Sequence, residues 1–112
     1  MKRIEAVIKP YKLDDVKEAL SEIGARGMTV FAVNDYDRSI GHSKLYPGTK
    51  YYKDFVSKIY LEMIASDRDA DKIAETILAA ARSDEYDEGK ITITTVKSVI
   101  RIRTGELDHS AL

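Results

Sequence analysis

Residues 2–20 read KRIEAVIKPYKLDDVKEAL, and within them the pattern changes from period two to period 3.6. Ile4, Ala6 and Ile8 alternate with Arg3, Glu5, Val7 and Lys9, which spells a strand with one apolar face. Pro10 has no N–H for a sheet ladder and ends that strand. Val16, Ala19, Leu20 and Ile23 then recur at i, i+3, i+4 and i+7, the stripe of an amphipathic helix. Asp14 and Asp15 stand in its first turn, where the helix dipole favours negative charge. Gly24 follows, a residue that takes the left-handed turn by which helices stop.

The same alternation returns further along. Gly27 opens a second strand, about residues 28–36. Residues 55–65 alternate again, with Phe55, Ile59, Leu61 and Met63 on one face and Lys58, Tyr60 and Glu62 on the other. A second helix over about 70–82 aligns Ile73, Ile77 and Ala80, with Ser66 or Asp69 as its cap. Residues 90–96 and 98–103 read as strands, and in the latter Ile100 and Ile102 oppose Arg101 and Arg103. The order predicts an α+β, ferredoxin-like βαββαβ fold with an additional C-terminal strand, in one domain over residues 1–112. Both helices then cover one sheet face. The other face mixes Tyr60 and Ile64 with Lys58 and Glu62, and a half-apolar open face points to oligomerisation.

Composition removes whole classes of function. Eighteen basic and nineteen acidic residues give a formal net charge of −1, without the basic excess that nucleic-acid binding uses. No cysteine is present, so a disulfide framework, a thiolate zinc site and a cysteine nucleophile are excluded. No apolar run approaches the ~18–20 residues that cross a bilayer, and MKRIEAVIKP lacks the apolar stretch of a leader. The expectation is a cytoplasmic protein without direct membrane insertion.

Two features remain as functional candidates. Residues 37–54 follow neither period, carry Gly41, Pro47 and Gly48, and include Tyr46, Tyr51 and Tyr52 outside any apolar pattern. Loops beyond about 12–15 residues usually serve a function or stay disordered. The tyrosines read equally as partner anchors or as loosely packed surface. The second feature is a set of cations at strand ends and loop mouths: Lys9, Arg38, Lys58, Lys90, Arg101 and Arg103. Guanidinium and ammonium donors suit a phosphate chain, and Gly89 lets backbone approach one. From residue type alone, solvated decoration is the leading reading of the same residues, because Lys and Arg are mostly exposed. A metal at His42 with Asp35, Asp37 or Asp54, and a Ser39–His42–Asp37 triad, both lack rigid support on such a loop, so no metal and no catalytic residue is expected.

The chain resembles the PII nitrogen-signalling family over its whole length. The resemblance lies in KRIEAVIKPYKLDDVKEAL, in GMTV at 27–30, in GHSKLYPGTKYYKDFVSK at 41–58 and in VIRIRTGELD at 99–108. It implies a homotrimer of ferredoxin-like subunits that binds ATP or ADP as effector in the clefts between neighbours. It implies a T-loop at about 37–55 that docks on a membrane transporter or an enzyme of nitrogen metabolism, a B-loop at about 82–90 and a tail at 104–112. By the same resemblance the phosphate contacts fall on Arg38, Lys90, Arg101 and Arg103, with Lys9 close by and Gly89 in the B-loop. Arg101 and Arg103 reach in from a neighbouring subunit. Thr29, Glu62 and Ile64 match positions near the adenine or ribose, and Asp37 and Glu88 complete the nucleotide set. Tyr51 matches a tyrosine uridylylated in many members, and Thr49 a phosphorylated position. His42, Lys44 and Tyr46 join them on the partner-binding loop. The protein is then a regulator and not an enzyme.

This chain departs from the family pattern at three places. Asp35 and Asp37 replace glycines at the T-loop entrance, and Ser39 replaces a glutamine that helps to hold Mg²⁺ and 2-oxoglutarate. Ser39 is shorter and has no amide, which weighs against Mg²⁺ and 2-oxoglutarate as effectors. In the B-loop Asp87 replaces a glycine and, with Asp84 and Glu85 before it, adds carboxylates that repel a triphosphate. In the T-loop Lys44 and Pro47 stand where glutamate and arginine are common. The alternative reading is a nucleotide-independent regulator of the same fold. A slow nucleotide hydrolase, with Asp37 or Glu88 positioning water, is the weaker enzymatic alternative.

Overall fold

The computed structural model describes residues 1–36, 55–85 and 89–112. In chain order they form β1 (Lys2–Ile8), α1 (Leu13–Glu22), β2 (Thr29–Tyr36), β3 (Phe55–Ala65), α2 (Asp67–Ala81) and β4 (Ile91–Thr95). Short 3-10 turns occupy Pro10–Lys12 and Asp108–Ala111. The four strands make one antiparallel sheet in the order β2-β3-β1-β4, so the α+β, ferredoxin-like expectation holds.

Register follows from which side chains need burial. Ile4 faces Met63 and Ile93 across its two neighbours, and Ala6 faces Leu61 and Ile91. That aligns the apolar residues of three strands on one face. Val16 and Leu20 of α1, with Ala70, Ile73 and Ile77 of α2, complete a single core against Ile4, Ala6, Ile8, Leu61 and Met63. At roughly 25 cal/mol per Å² of apolar surface, this burial is the main stabilising contribution.

The helix ends are set by local chemistry. The Ser66 hydroxyl accepts the Asp69 N–H at 3.2 Å, and Asp67 and Asp69 lie in the first turn. Helix α2 therefore begins three residues before the expected Ala70. Gly24, at φ 75, ends α1, and the N–H groups of Gly24 and Ala25 return to the carbonyls of Ser21 and Leu20 at 3.0 Å. Ile23 falls beyond the last turn and is exposed, not part of the buried stripe. Lys58, read as solvated, is buried on the open face, where Val33 opposite it and Tyr60 beside it are half-buried.

The strand expected at 98–103 is reduced to one bridge between Ile100 and Leu107. The reason is that this segment pairs with itself. Gly105, at φ 73, turns the chain, and Arg101 donates its N–H to the Glu106 carbonyl at 2.9 Å. The Asp108 carboxylate accepts from Ser98 Oγ and the Val99 N–H at 3.2 Å each. Alternating isoleucines then have no sheet to lie on, and Ile102 is fully exposed.

Candidate functional site

Strand β1 runs into Pro10, and the turn that the proline starts carries Lys9 and Tyr11 to one end of the sheet. The same end receives the C-terminus of α2 and the start of β4. Antiparallel pairing places Ile91 opposite Ala6, and the Val7 N–H donates to the Lys90 carbonyl at 3.1 Å. Between these elements lies a cleft of about 210 Å³. Its floor is apolar, from Ile8, Ile77 and Ile91. Its rim is polar, from Arg82, Ser83, Glu85, Gly89 and Lys90.

Lys9 meets this rim from the side. Its Nζ lies 3.2 Å from Ser83 Oγ and 3.4 Å from Glu85 Oε2. The Tyr11 hydroxyl donates to the same carboxylate oxygen at 3.4 Å, and Lys9 Nζ stands 6.0 Å from the Tyr11 ring centre. Lys90 is exposed beside them. Two ammonium groups at the mouth of an apolar-floored cleft suit an anion joined to a flat or apolar body.

The other candidate residues divide into three groups. Thr29 and Glu62 face each other across β2 and β3, with half-buried Ile64 two residues on. They lie on the open sheet face, away from the rim of the cleft. Arg101 and Arg103 belong to the self-paired hairpin. The chain reaches it by leaving the sheet beside Met1 and Lys2, at the end of β1 opposite Lys9. The Arg101 guanidinium donates to the carbonyls of Ala111 and Leu112 at 3.2 and 3.1 Å. Its Nε is buried without a hydrogen bond among the described residues, with Glu106 Oε1 at 3.9 Å. Arg103 is exposed. Asp37, Arg38, His42, Lys44, Tyr46, Thr49, Tyr51 and Glu88 lie outside the described residues.

The open face has its own polar network. Tyr60 donates its hydroxyl to the Glu5 carboxylate, whose other oxygen lies 3.1 Å from Arg3 Nε. Glu5 faces Glu62 directly, a like-charge pair that the tyrosine proton and the guanidinium offset. The Glu5 hydrogen bond, and then burial, push the Tyr60 hydroxyl up to about 12, so it is a neutral donor at physiological pH. Phe31 packs on Tyr60 with ring centres 5.6 Å apart.

Lys9, Gly89 and Lys90 are marked by residue type and spacing, whereas their neighbours Tyr11 and Ser83 carry no such mark. Glu85 is the partner of Lys9, beyond the repelling carboxylate that its residue type suggests. No sequence signal marks that pair, because 76 positions separate its members. Among the described residues no group of three or more His, Asp or Glu is placed to hold a metal, and no helix is long and apolar enough to cross a membrane.

Comparison with known proteins agrees with this architecture. The family model described as Nitrogen regulatory protein P-II matches residues 1–106. Curated relatives of that name from Pasteurella multocida (strain Pm70) and Rhodobacter capsulatus are 46% and 45% identical over 112 residues, covering all of both chains. The protein named Nitrogen regulatory protein P-II 1 from Escherichia coli (strain K12) is 46% identical over the same length. Among solved structures, Arabidopsis thaliana PII bound to citrate superposes with a TM-score of 0.81 at 31% identity, covering 99% of this chain and 91% of that one. The chain therefore belongs to the nitrogen regulatory protein P-II family, whose members are signal-transduction regulators and not enzymes.

Proposed function

We propose that this chain is a regulator of nitrogen metabolism that binds ATP or ADP between the subunits of a homotrimer. It acts on a transporter or enzyme through residues 37–55, with Tyr51 as the candidate modification site and His42, Lys44, Tyr46 and Thr49 on the docking loop. One observation carries the nucleotide reading. Lys9 and Lys90 stand at an apolar-floored cleft, while Arg101 and Arg103 leave from the opposite end of β1. A second chain that offers its hairpin to this cleft brings four cations to one phosphate chain. The exposed Phe31, Ile100, Ile102 and Leu107 are apolar surface that neighbouring subunits cover in this reading. Citrate on the Arabidopsis relative supports an anionic effector.

Isothermal titration with ATP, ADP and AMP, with and without Mg²⁺ and 2-oxoglutarate, tests this reading. ATP and ADP are expected to bind, and Ser39 predicts no strengthening by 2-oxoglutarate. The double variant Arg101→Ala and Arg103→Ala is expected to weaken ATP binding at least about tenfold, or about 1.4 kcal/mol. A change below about twofold contradicts the role given to the two arginines. The contact of Lys9 with Glu85 favours a second reading, a nucleotide-independent regulator. Absence of binding heat with every nucleotide selects it.

A further inference from the structure

Lys9 is only 9% exposed, and a buried ammonium is costly without a counter-charge. Glu85 supplies that charge. Its side chain is 75% exposed, so it reaches Lys9 from the solvent side. The separation of 3.4 Å is long for a charge-assisted hydrogen bond, which prefers about 2.7–2.9 Å. The same oxygen also accepts from Tyr11 at 3.4 Å, and the other hydrogen-bond partner of the Lys9 ammonium among the described residues, Ser83 Oγ, is neutral. Ser83 and Glu85 both line the cleft that holds Gly89 and Lys90. An anion that enters the cleft thus meets Lys9 already matched with a carboxylate.

We propose that Glu85 is an internal competitor for the phosphates of an adenine nucleotide, holding Lys9 until a phosphate displaces it. This rests on the nucleotide reading above. A phosphate group carries more charge and more acceptor oxygens than one carboxylate, so it displaces the long Glu85 contact. Glu85 then swings into water, where its exposed side chain is readily solvated. The device lowers affinity for every phosphorylated ligand and leaves the adenine contacts untouched. It makes Glu85 a residue that sets the nucleotide concentration at which the protein responds.

The test compares the full chain with Glu85→Gln, and with Asp84→Asn as a control that removes an adjacent exposed charge. ATP, ADP and adenosine are titrated calorimetrically into each. Glu85→Gln is expected to tighten ATP and ADP roughly threefold to fivefold, the range of a partly exposed ion pair. Adenosine binding is expected to stay unchanged, and Asp84→Asn, which removes only a solvent-screened repulsion, to tighten ATP by less than about 1.5-fold. Equal ATP affinity in the parent and Glu85→Gln overturns the proposal alone. So does an equal gain with adenosine, which means a change in cleft shape, or with Asp84→Asn, which means general charge. ATP binding to neither protein overturns the nucleotide reading and this proposal together.

Discussion

The two faces of the sheet are built from the same strands and end in opposite chemistry. On the helix face Ile4, Ala6, Leu61 and Met63 are buried by residues of their own chain. On the open face Phe31, packed on Tyr60, remains 48% exposed, and Glu5 faces Glu62 between Arg3 and Tyr60. One face closes by folding. The other keeps apolar rings and a tied charge network at the surface, a pattern more useful to a second subunit than to solvent. The difference teaches where stability and assembly reside: the helix face sets the stability of the fold, and in the proposed trimer the open face sets association.

The strongest challenge to this division is a cavity on the helix face. Ile77 is 1% exposed, and Ile77→Ala is expected to cost about 2–5 kcal/mol in denaturant unfolding at fixed protein concentration. A loss below about 1 kcal/mol places the core elsewhere. The next is Phe31→Asp, which puts a charge on the open face. It is expected to reduce the mass seen by light scattering from three chains toward one while far-ultraviolet dichroism stays unchanged. Retention of three chains by this variant removes the open face from the interface.

The smallest expected effect concerns Tyr60. Its folded hydroxyl titrates near 12, above the ordinary 10.0. The stability it contributes is therefore complete below about pH 10 and is lost as pH rises through the folded value. Tyr60→Phe is expected to lower stability modestly at neutral pH, where the contribution is complete, and to flatten the loss between about pH 10 and 12. Titration of tyrosinate absorbance measures the same shift directly. An ordinary tyrosine profile means that the Glu5 bond is not held in solution.

Much of this was legible in the sequence, for reasons that can be named. Alternation in KRIEAVI marked β1, and its Ile4, Ala6 and Ile8 are the buried ones. The stripe through Ile73 and Ile77 marked α2, and Ser66 was among its candidate caps. The C-terminal segment misled because Ile100 and Ile102 alternate with Arg101 and Arg103 as in a strand. A strand also needs a neighbour to pair with, and Gly105 and Asp108 turn this segment onto itself. Lys58 misled because an alternating pattern says which residues share a face, not how far their neighbours cover it.

Of the candidate site, sequence alone determined the cations, Lys9, Lys90, Arg101 and Arg103, and the glycine beside Lys90. Residue types and family motifs are local properties, written in consecutive letters. Only the tertiary structure decided that Lys9 is buried and held by Glu85 and Ser83, and that Arg101 is held by the chain's own last carbonyls. Those contacts depend on where β1, α2 and the C-terminal hairpin come to rest. A charge chooses its partner by distance in space and by the solvent it loses, and neither quantity is set by position along the chain.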